Sequence, residues 1–324
     1  MTRLVSSIFL AGSVLLALLG CATTVEYLPA AERPRPREHV TLEYQAQDGA
    51  KKPVDVTYIF AGEAAPGAEL YVLVHGLATN ADTWARVIDG FAEHGRTLAI
   101  DLPGTGMSGV PLDYDYAFEH QADVLRQFVE RAPELAGLPV GTRPVMVGLS
   151  LGGGFSAFVV MRKMVDARAL ILAGPAGYPM DLPWFFSWLA GPLGPSILFG
   201  ASLMDPLDYA SRFYHRDEVK TPDLADMIAA QLRDRPHRIA MSRTFANSVA
   251  LELARQVSAE IVDIDVPTLV LWGEKDDMIP PAHRLLWERD VKDSRVILVP
   301  DCGHSVPEEA SAVYLQEVGS FLGW

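Results

Sequence analysis

Six short apolar runs recur at wide intervals, and they constrain the fold more than any other feature of the chain. They are LYVLV at 70–74, TLAI at 97–100, PVMV at 144–147, ALIL at 169–172, TLVLW at 268–272 and VILV at 296–299. Each is too short for a helix, most are rich in β-branched residues, and none alternates with polar residues. Such runs are strands buried on both faces, which requires a mostly parallel sheet covered by helices on each side. The intervening segments supply those helices. Residues 115–132 place Phe118, Val124, Leu125, Phe128 and Val129 at helical spacing, and 82–93, 151–165, 281–290 and 307–322 also read as helices. Two alternating segments, 40–46 and 54–60, precede the series as a two-strand entry. The class is therefore α/β. A chain of 324 residues with 49% hydrophobic content accommodates one large domain of this kind, with room for an insertion.

The insertion has an evident place. Almost a hundred residues separate the runs at 169–172 and 268–272, too many for one crossover. Residues 177–256 are expected to form a helical cap, dividing the core into 40–176 and 257–324. The cap begins with Tyr178, Trp184, Phe185, Phe186, Trp188 and Phe199. Asp181 is its one charged residue between Tyr178 and Met204. These aromatics either pack against the core or face a substrate.

The N-terminus reads as an address. One Arg precedes an uncharged stretch from Leu4 to Gly20, short for a membrane span and shaped like the h-region of a signal peptide. Leu18-Leu19-Gly20-Cys21 resembles the lipobox of bacterial lipoprotein signal peptides. That resemblance implies cleavage of residues 1–20 and lipidation of Cys21. It makes the protein an exported, membrane-anchored lipoprotein. Ala22 after the Cys implies the outer membrane if the source is a diderm bacterium. Residues 21–39 would then hold the lipidated Cys and an extended tether, with Pro34 and Pro36 alternating with Arg33, Arg35 and Arg37.

A net charge of −14 repels phosphate backbones, which argues against nucleic acid as a partner. Two cysteines, Cys21 and Cys302, cannot build a metal cage, and no His pair has a metal-ligand spacing such as H-E-x-x-H. Gly104-Thr105-Gly106-Met107-Ser108-Gly109 is a literal G-x-G-x-x-G after a strand. Pro111 and Asp113 follow it where a dinucleotide site needs a helix, so it is read as a turn.

Gly148-Leu149-Ser150-Leu151-Gly152 is a G-x-S-x-G with a strand running into it and a helix leaving it. That context is the nucleophile elbow: the turn is too tight for side chains at the flanking positions, and the Ser is thrust out at the carboxyl edge of the sheet. A Ser hydroxyl needs a base held by a third group. Two later strands end at the same edge, one in Gly273-Glu274-Lys275-Asp276-Asp277 and one in Pro300-Asp301-Cys302-Gly303-His304. His304 is the base in preference to His283, which follows Pro280-Pro281 at a helix start. Asp276 is the preferred acid, Asp277 its competitor, and Glu274 sits too early in the turn. The oxyanion would be held by the backbone N–H groups of Leu151 and of Leu77 in the loop after 70–74. His75 is expected to pin that loop. Cys302 is read as a small buried hydrophobe.

Taken together, HGL at 75–77, DLPGTGMSG at 101–109, GLSLGG at 148–153, WGEKDDMIP at 272–280 and GHSVPEE at 303–309 resemble the α/β-hydrolase superfamily over residues 40–324. The resemblance implies eight strands, a cap between the sixth and seventh, the acid after the seventh and the His after the eighth. It implies a serine hydrolase of the esterase or lipase kind and no cofactor. Leu149 stands where many lipases and esterases carry His, so the elbow does not reveal the substrate. The expected reaction is cleavage of a carboxylic ester with an apolar acyl or alcohol group, through an acyl-enzyme, with a lipid-like substrate favoured by the anchor. Two alternatives stand beside it. One is a C–C bond hydrolase or thioesterase using the same triad, the former with Arg162, Arg243 or Asn247 as polar cap groups. The other is a binding protein on a hydrolase scaffold.

Overall fold

The structure, a computed structural model, describes residues 34–63, 67–180, 188–201, 214–248 and 257–324. Cys21 and the leader lie outside the described residues, as do Asp181, Trp184, Phe185 and Phe186.

Eight strands form one sheet in the order β1-β2-β4-β3-β5-β6-β7-β8. They are β1 (Glu38–Gln45), β2 (Lys51–Ala61), β3 (Glu69–Val74), β4 (Gly95–Ile100), β5 (Val145–Leu149), β6 (Ala169–Ala173), β7 (Thr268–Gly273) and β8 (Ser294–Val299). β2 runs antiparallel to both β1 and β4, and every other pairing is parallel. Five of the six apolar runs are explained by burial on both faces; the sixth, VILV in β8, lies at the sheet edge and is only partly covered, with Leu298 exposed. Along β5, Met146 belongs to one core cluster while Val145 and Val147 belong to the other. The pleat sends successive residues to opposite sides, so a doubly covered strand has no polar position.

Nine α-helices are described: α1 (Ile88–Ala92), α2 (Phe118–Leu135), α3 (Leu151–Met161), α4 (Gly194–Ala201), α5 (Pro222–Arg233), α6 (Arg235–Ser248), α7 (Arg284–Asp290), α8 (Val306–Glu309) and α9 (Ser311–Leu322). The expected helix at 82–93 is instead a 3-10 turn, Ala81–Trp84, followed by the short α1. Asn80 caps that turn, its side chain accepting the Asp82 N–H. Helices α4, α5 and α6 lie between β6 and β7 in the chain and bury a small core of their own. Leu198, Leu224, Ile228, Leu232, Met241 and Phe245 meet there with Ala78 from the loop after β3. The cap aromatics divide. Tyr178 is buried against Trp287, its hydroxyl donating to Asp290, whereas Trp188 and Phe199 are exposed.

The segment read as a tether departs from that expectation at its end. Glu38 and His39 already belong to β1, and residues 35–37 are docked on the core. The Arg37 side chain is 2% exposed and bridges Asp82 and Asp101 at 2.9 Å each, while Arg35 pairs with Asp89 at 2.8 Å. Asp101, at the end of β4, also accepts Thr57 Oγ1 and the N–H of Ala81. Two buried carboxylates side by side need a cation, and Arg37 supplies it. Pro-Arg alternation fits a free spacer and a docked extended segment equally well, so the difference lies in the distant partners.

Candidate active site

The order of strands reverses direction at β3, whose neighbours are β4 on one side and β5 on the other. Ligands of open parallel sheets bind at the carboxyl ends of strands around such a point. The loops after β3 and β5 carry His75-Gly76-Leu77 and Ser150.

Ser150 occupies φ 55° and ψ −121°, a conformation that L-residues rarely hold and that glycine alone adopts freely. Its backbone is over-determined. The Ser150 N–H donates to Ala173 O at 2.9 Å, and its carbonyl accepts from Gly154 at 3.1 Å and Ala176 at 2.9 Å. Glycine is obligatory beside it: a Cβ on Gly152 would lie 2.2 Å from His75 O and 2.3 Å from Val74 O. Ser150 thus stands directly before the first residue of α3, Leu151. The N–H of a first helical residue has no acceptor within its helix, and the helix dipole adds positive potential there.

The β3 loop is drawn against the elbow, since a Cβ on Gly76 would lie 3.2 Å from Ser150 Cβ. His75 pins this loop, as its position foretold. Its Nε2 accepts the Leu102 N–H at 3.1 Å, so Nδ1 carries the proton and donates to Gly76 O at 2.8 Å. Burial holds the ring below the usual imidazole range, consistent with that neutral tautomer. Leu77 follows, and Ala78 turns the chain through a left-handed φ of 58°. Leu77 and Leu151 both line a cavity that Phe155 shares with Gln231, Met241 and Thr244 of the cap.

Asp276 and His304 meet across the ends of β7 and β8. The His304 Nδ1–H donates to Asp276 Oδ2 at 2.8 Å, and both residues are buried. Asp276 Oδ1 accepts the N–H groups of Met278 and Ile279, each at 2.9 Å. The two loops are laced together by Lys275 N–H to Cys302 O at 2.8 Å and Glu274 N–H to Val299 O at 2.9 Å. Burial pulls the His304 pKa down, but the Asp276 carboxylate, with Glu309 behind it, pulls harder, and the net movement is upward. Asp277 points to solvent, so of the two competing acids only Asp276 touches His304. His283 sits edge-on to Tyr178 and makes no hydrogen bond to Asp276, whose Oδ2 is taken by His304. Ser150 and the pair converge through β6. Ala173 O holds the Ser150 N–H, and a Cβ on the next residue, Gly174, would lie 3.2 Å from Asp276 Oδ2 and 3.3 Å from His304 Nδ1.

The model of the alpha/beta hydrolase family matches residues 71–317. The chain belongs to that family. Similar proteins include Lipase 3 of Moraxella sp. (strain TA144), 27% identical over 249 residues that cover 75% of this chain and 73% of that one. Monoacylglycerol lipase ABHD6 of Homo sapiens is 25% identical over 269 residues, covering 79% and 76%. Among solved structures, the enol-lactonase from Burkholderia xenovorans LB400 superposes with a TM-score of 0.67 at 22% identity, over 87% of this chain and 100% of its own. That likeness speaks for the fold.

Several further residues of this alpha/beta hydrolase are engaged in its framework. The turn Gly104–Gly109 wraps the Asp101 carboxylate, whose Oδ2 accepts the Met107 N–H at 3.2 Å, and no helix opens before Phe118. Arg243 donates to the carbonyls of Leu112 and Tyr114, Asn247 to that of Asp115, and Arg162 pairs with Glu260. All three polar groups, Arg243 and Asn247 of the cap and Arg162 at the end of α3, are spent on tying the chain together. Glu308 and Glu309 are the notable omission. Two acids within an otherwise uncharged stretch from 302 to 310 were a signal that they are buried and partnered.

Proposed function

We propose that this protein is a serine hydrolase that cleaves carboxylic esters bearing an apolar acyl or alcohol group. The observation that carries the reading is the strained Ser150 at the head of α3, held by Ala173 beside the buried Asp276–His304 pair. Ser150 Oγ attacks the ester carbonyl while His304 Nε2 takes its proton. Asp276 keeps Nδ1 protonated and stabilises the imidazolium. The N–H groups of Leu77 and Leu151 hold the oxyanion. His304 returns the proton to the departing alcohol, then activates a water that releases the acid and regenerates Ser150. The lipase names of the similar proteins support an ester as substrate. Arg243 and Asn247, engaged by backbone carbonyls, leave the C–C hydrolase reading without a specific support.

The same proposal includes the address. The leader is a lipoprotein signal, Cys21 carries the lipid, and the enzyme works at a membrane surface on lipid-like esters. Its support is the sequence Leu18-Leu19-Gly20-Cys21 together with the apolar cap.

The test is hydrolysis of a p-nitrophenyl ester series from acetate to palmitate, with Ser150→Ala alongside. The expected result is turnover that vanishes in the variant while its melting temperature stays within a few degrees. A well-folded wild-type protein inert towards every ester overturns the ester reading. Intact mass of the membrane-extracted protein, with Cys21→Ser as control, tests the lipid separately.

A further inference from the structure

Glu308 and Glu309 follow His304 on the short α8 and are 2% and 1% exposed. A carboxylate so deeply buried persists only when donors fill its lone pairs. Glu309 Oε2 accepts three backbone N–H groups, from His215 at 2.8 Å, Arg216 at 3.0 Å and Gly303 at 3.1 Å. Its Oε1 accepts a fourth, from Ser305 at 3.3 Å. Glu308 Oε2 takes the hydroxyl of Tyr214 at 2.5 Å and that of Ser305 at 3.0 Å.

The donors come from two parts of the chain. Residues 214–216 belong to the insertion between β6 and β7, whereas Gly303 and Ser305 flank His304. Arg216 closes the joint from its other side, donating through Nε to Asp301 O at 2.7 Å and through Nη1 to Glu309 O at 3.1 Å. The fit also explains a glycine. A Cβ on Gly303 would lie 2.7 Å from both Glu309 Oε1 and the His215 nitrogen. The backbone N–H groups of the two residues that flank His304 are therefore clamped by one side chain, which clamps the cap as well.

We infer that Glu309 is a positioning residue for His304: its carboxylate aims the imidazole by holding the N–H groups of both flanking residues, Gly303 and Ser305, and ties that aim to the cap segment 215–216. The inference rests on His304 being the base of the proposed reaction. Among the described residues, the charges facing the imidazole are those of Asp276 on the β7 loop and Glu309 on α8. Asp301 on the His loop is exposed and paired with His215 at 3.2 Å, and Arg216 reaches in from the cap. Burial pushes the Cys302 thiol of the same loop up, so it stays neutral. Burial likewise pushes Glu309 up while its four N–H donors pull it back.

The experiment uses the full chain in detergent, with Glu309→Gln and Glu309→Asp. The first readout needs no substrate: the His304 imidazole is titrated by NMR in a Ser150→Ala background. Glu309→Gln removes one negative neighbour, and the His304 pKa is expected to fall by about one unit. Glu309→Asp keeps the charge and is expected to titrate as wild type. The second readout is the split between kcat and KM on the best ester. Both variants are expected to lose roughly tenfold or more in kcat with KM within about twofold, because a small misaim of the base is felt in the chemical step. A Glu309→Gln protein that melts lower yet keeps the wild-type titration and kcat well below its Tm overturns the inference. If Glu309→Gln does not fold, Glu309→Asp decides by the same kcat criterion. Failure of every ester would sink the proposed reaction, while the titration would still judge the role of Glu309.

Discussion

Asp276 divides its two oxygens between separate tasks: Oδ2 takes the Nδ1–H of His304 at 2.8 Å, and Oδ1 takes the N–H groups of Met278 and Ile279. The carboxylate is thereby fixed before it fixes the ring. Asn at this position can keep the second task but presents an amide N–H₂ to Nδ1. That forces the wrong tautomer, so Asp276→Asn is expected to lower kcat by roughly 10⁴-fold. Asp277→Asn, altering an exposed side chain, should leave kcat within about twofold of wild type.

The same pair dictates a pH dependence. In the proposed reaction His304 is a base only when neutral, so kcat/KM is expected to fall as pH drops through its pKa. That pKa is raised from the usual imidazole value by Asp276 and then Glu309, against the downward pull of burial. The acid limb is therefore expected above pH of about 6.5, and it should move to lower pH in whatever residual activity Asp276→Asn retains. A limb that stays in place in the variant would assign the ionisation to another group. For stability the sign runs the other way: the raised pKa favours the folded state below the unfolded value, and that contribution is lost as pH rises through the folded one.

Arg37 sits between Asp82 and Asp101 with almost no exposure. Arg37→Met leaves two buried carboxylates uncompensated and is expected to destabilise the protein by about 3–5 kcal/mol. Urea unfolding monitored by tryptophan fluorescence measures it. A loss below about 1 kcal/mol would mean that residues 35–37 are not docked in solution.

Gly152 is the close approach between the elbow and the β3 loop. Gly152→Ala puts a methyl 2.2 Å from a backbone carbonyl, which cannot swing aside as a side chain would. The loss is expected to reach about 3 kcal/mol, with activity falling further than stability because His75 and Leu77 must move. Unchanged kcat would show that the loop can give way without consequence.

Cys302 lies two residues before His304, is fully buried and has its thiol pushed up by burial. A protonated thiol is a poor nucleophile. Cys302→Ala is expected to keep kcat within about threefold, and iodoacetamide should leave Cys302 unmodified in the native protein. Rapid inactivation by alkylation at that residue would contradict this placement.

What was legible in the sequence is what short-range physics writes into it. A strand covered on both faces has no polar position, so runs such as TLVLW announced the sheet. A turn too tight for side chains demands small neighbours, so Gly148 and Gly152 announced Ser150. His75 could be read as a loop pin because its place at the end of β3 leaves it few other duties. Asp276 and Asp277, by contrast, are adjacent, equally acidic and in one loop. Only the turn that delivers Met278 and Ile279 N–H groups to Oδ1 sends one inward and leaves the other in water. Arg37 was read as part of a spacer because its partners stand 45 and 64 residues away. Glu309 likewise takes its cap donors from 94 and 93 residues away. Periodicity and turn sterics act over a few residues and so leave their mark on the local sequence. The desolvation of a charge is offset by whichever donors the fold brings beside it, and that was decided only when the chain closed around them.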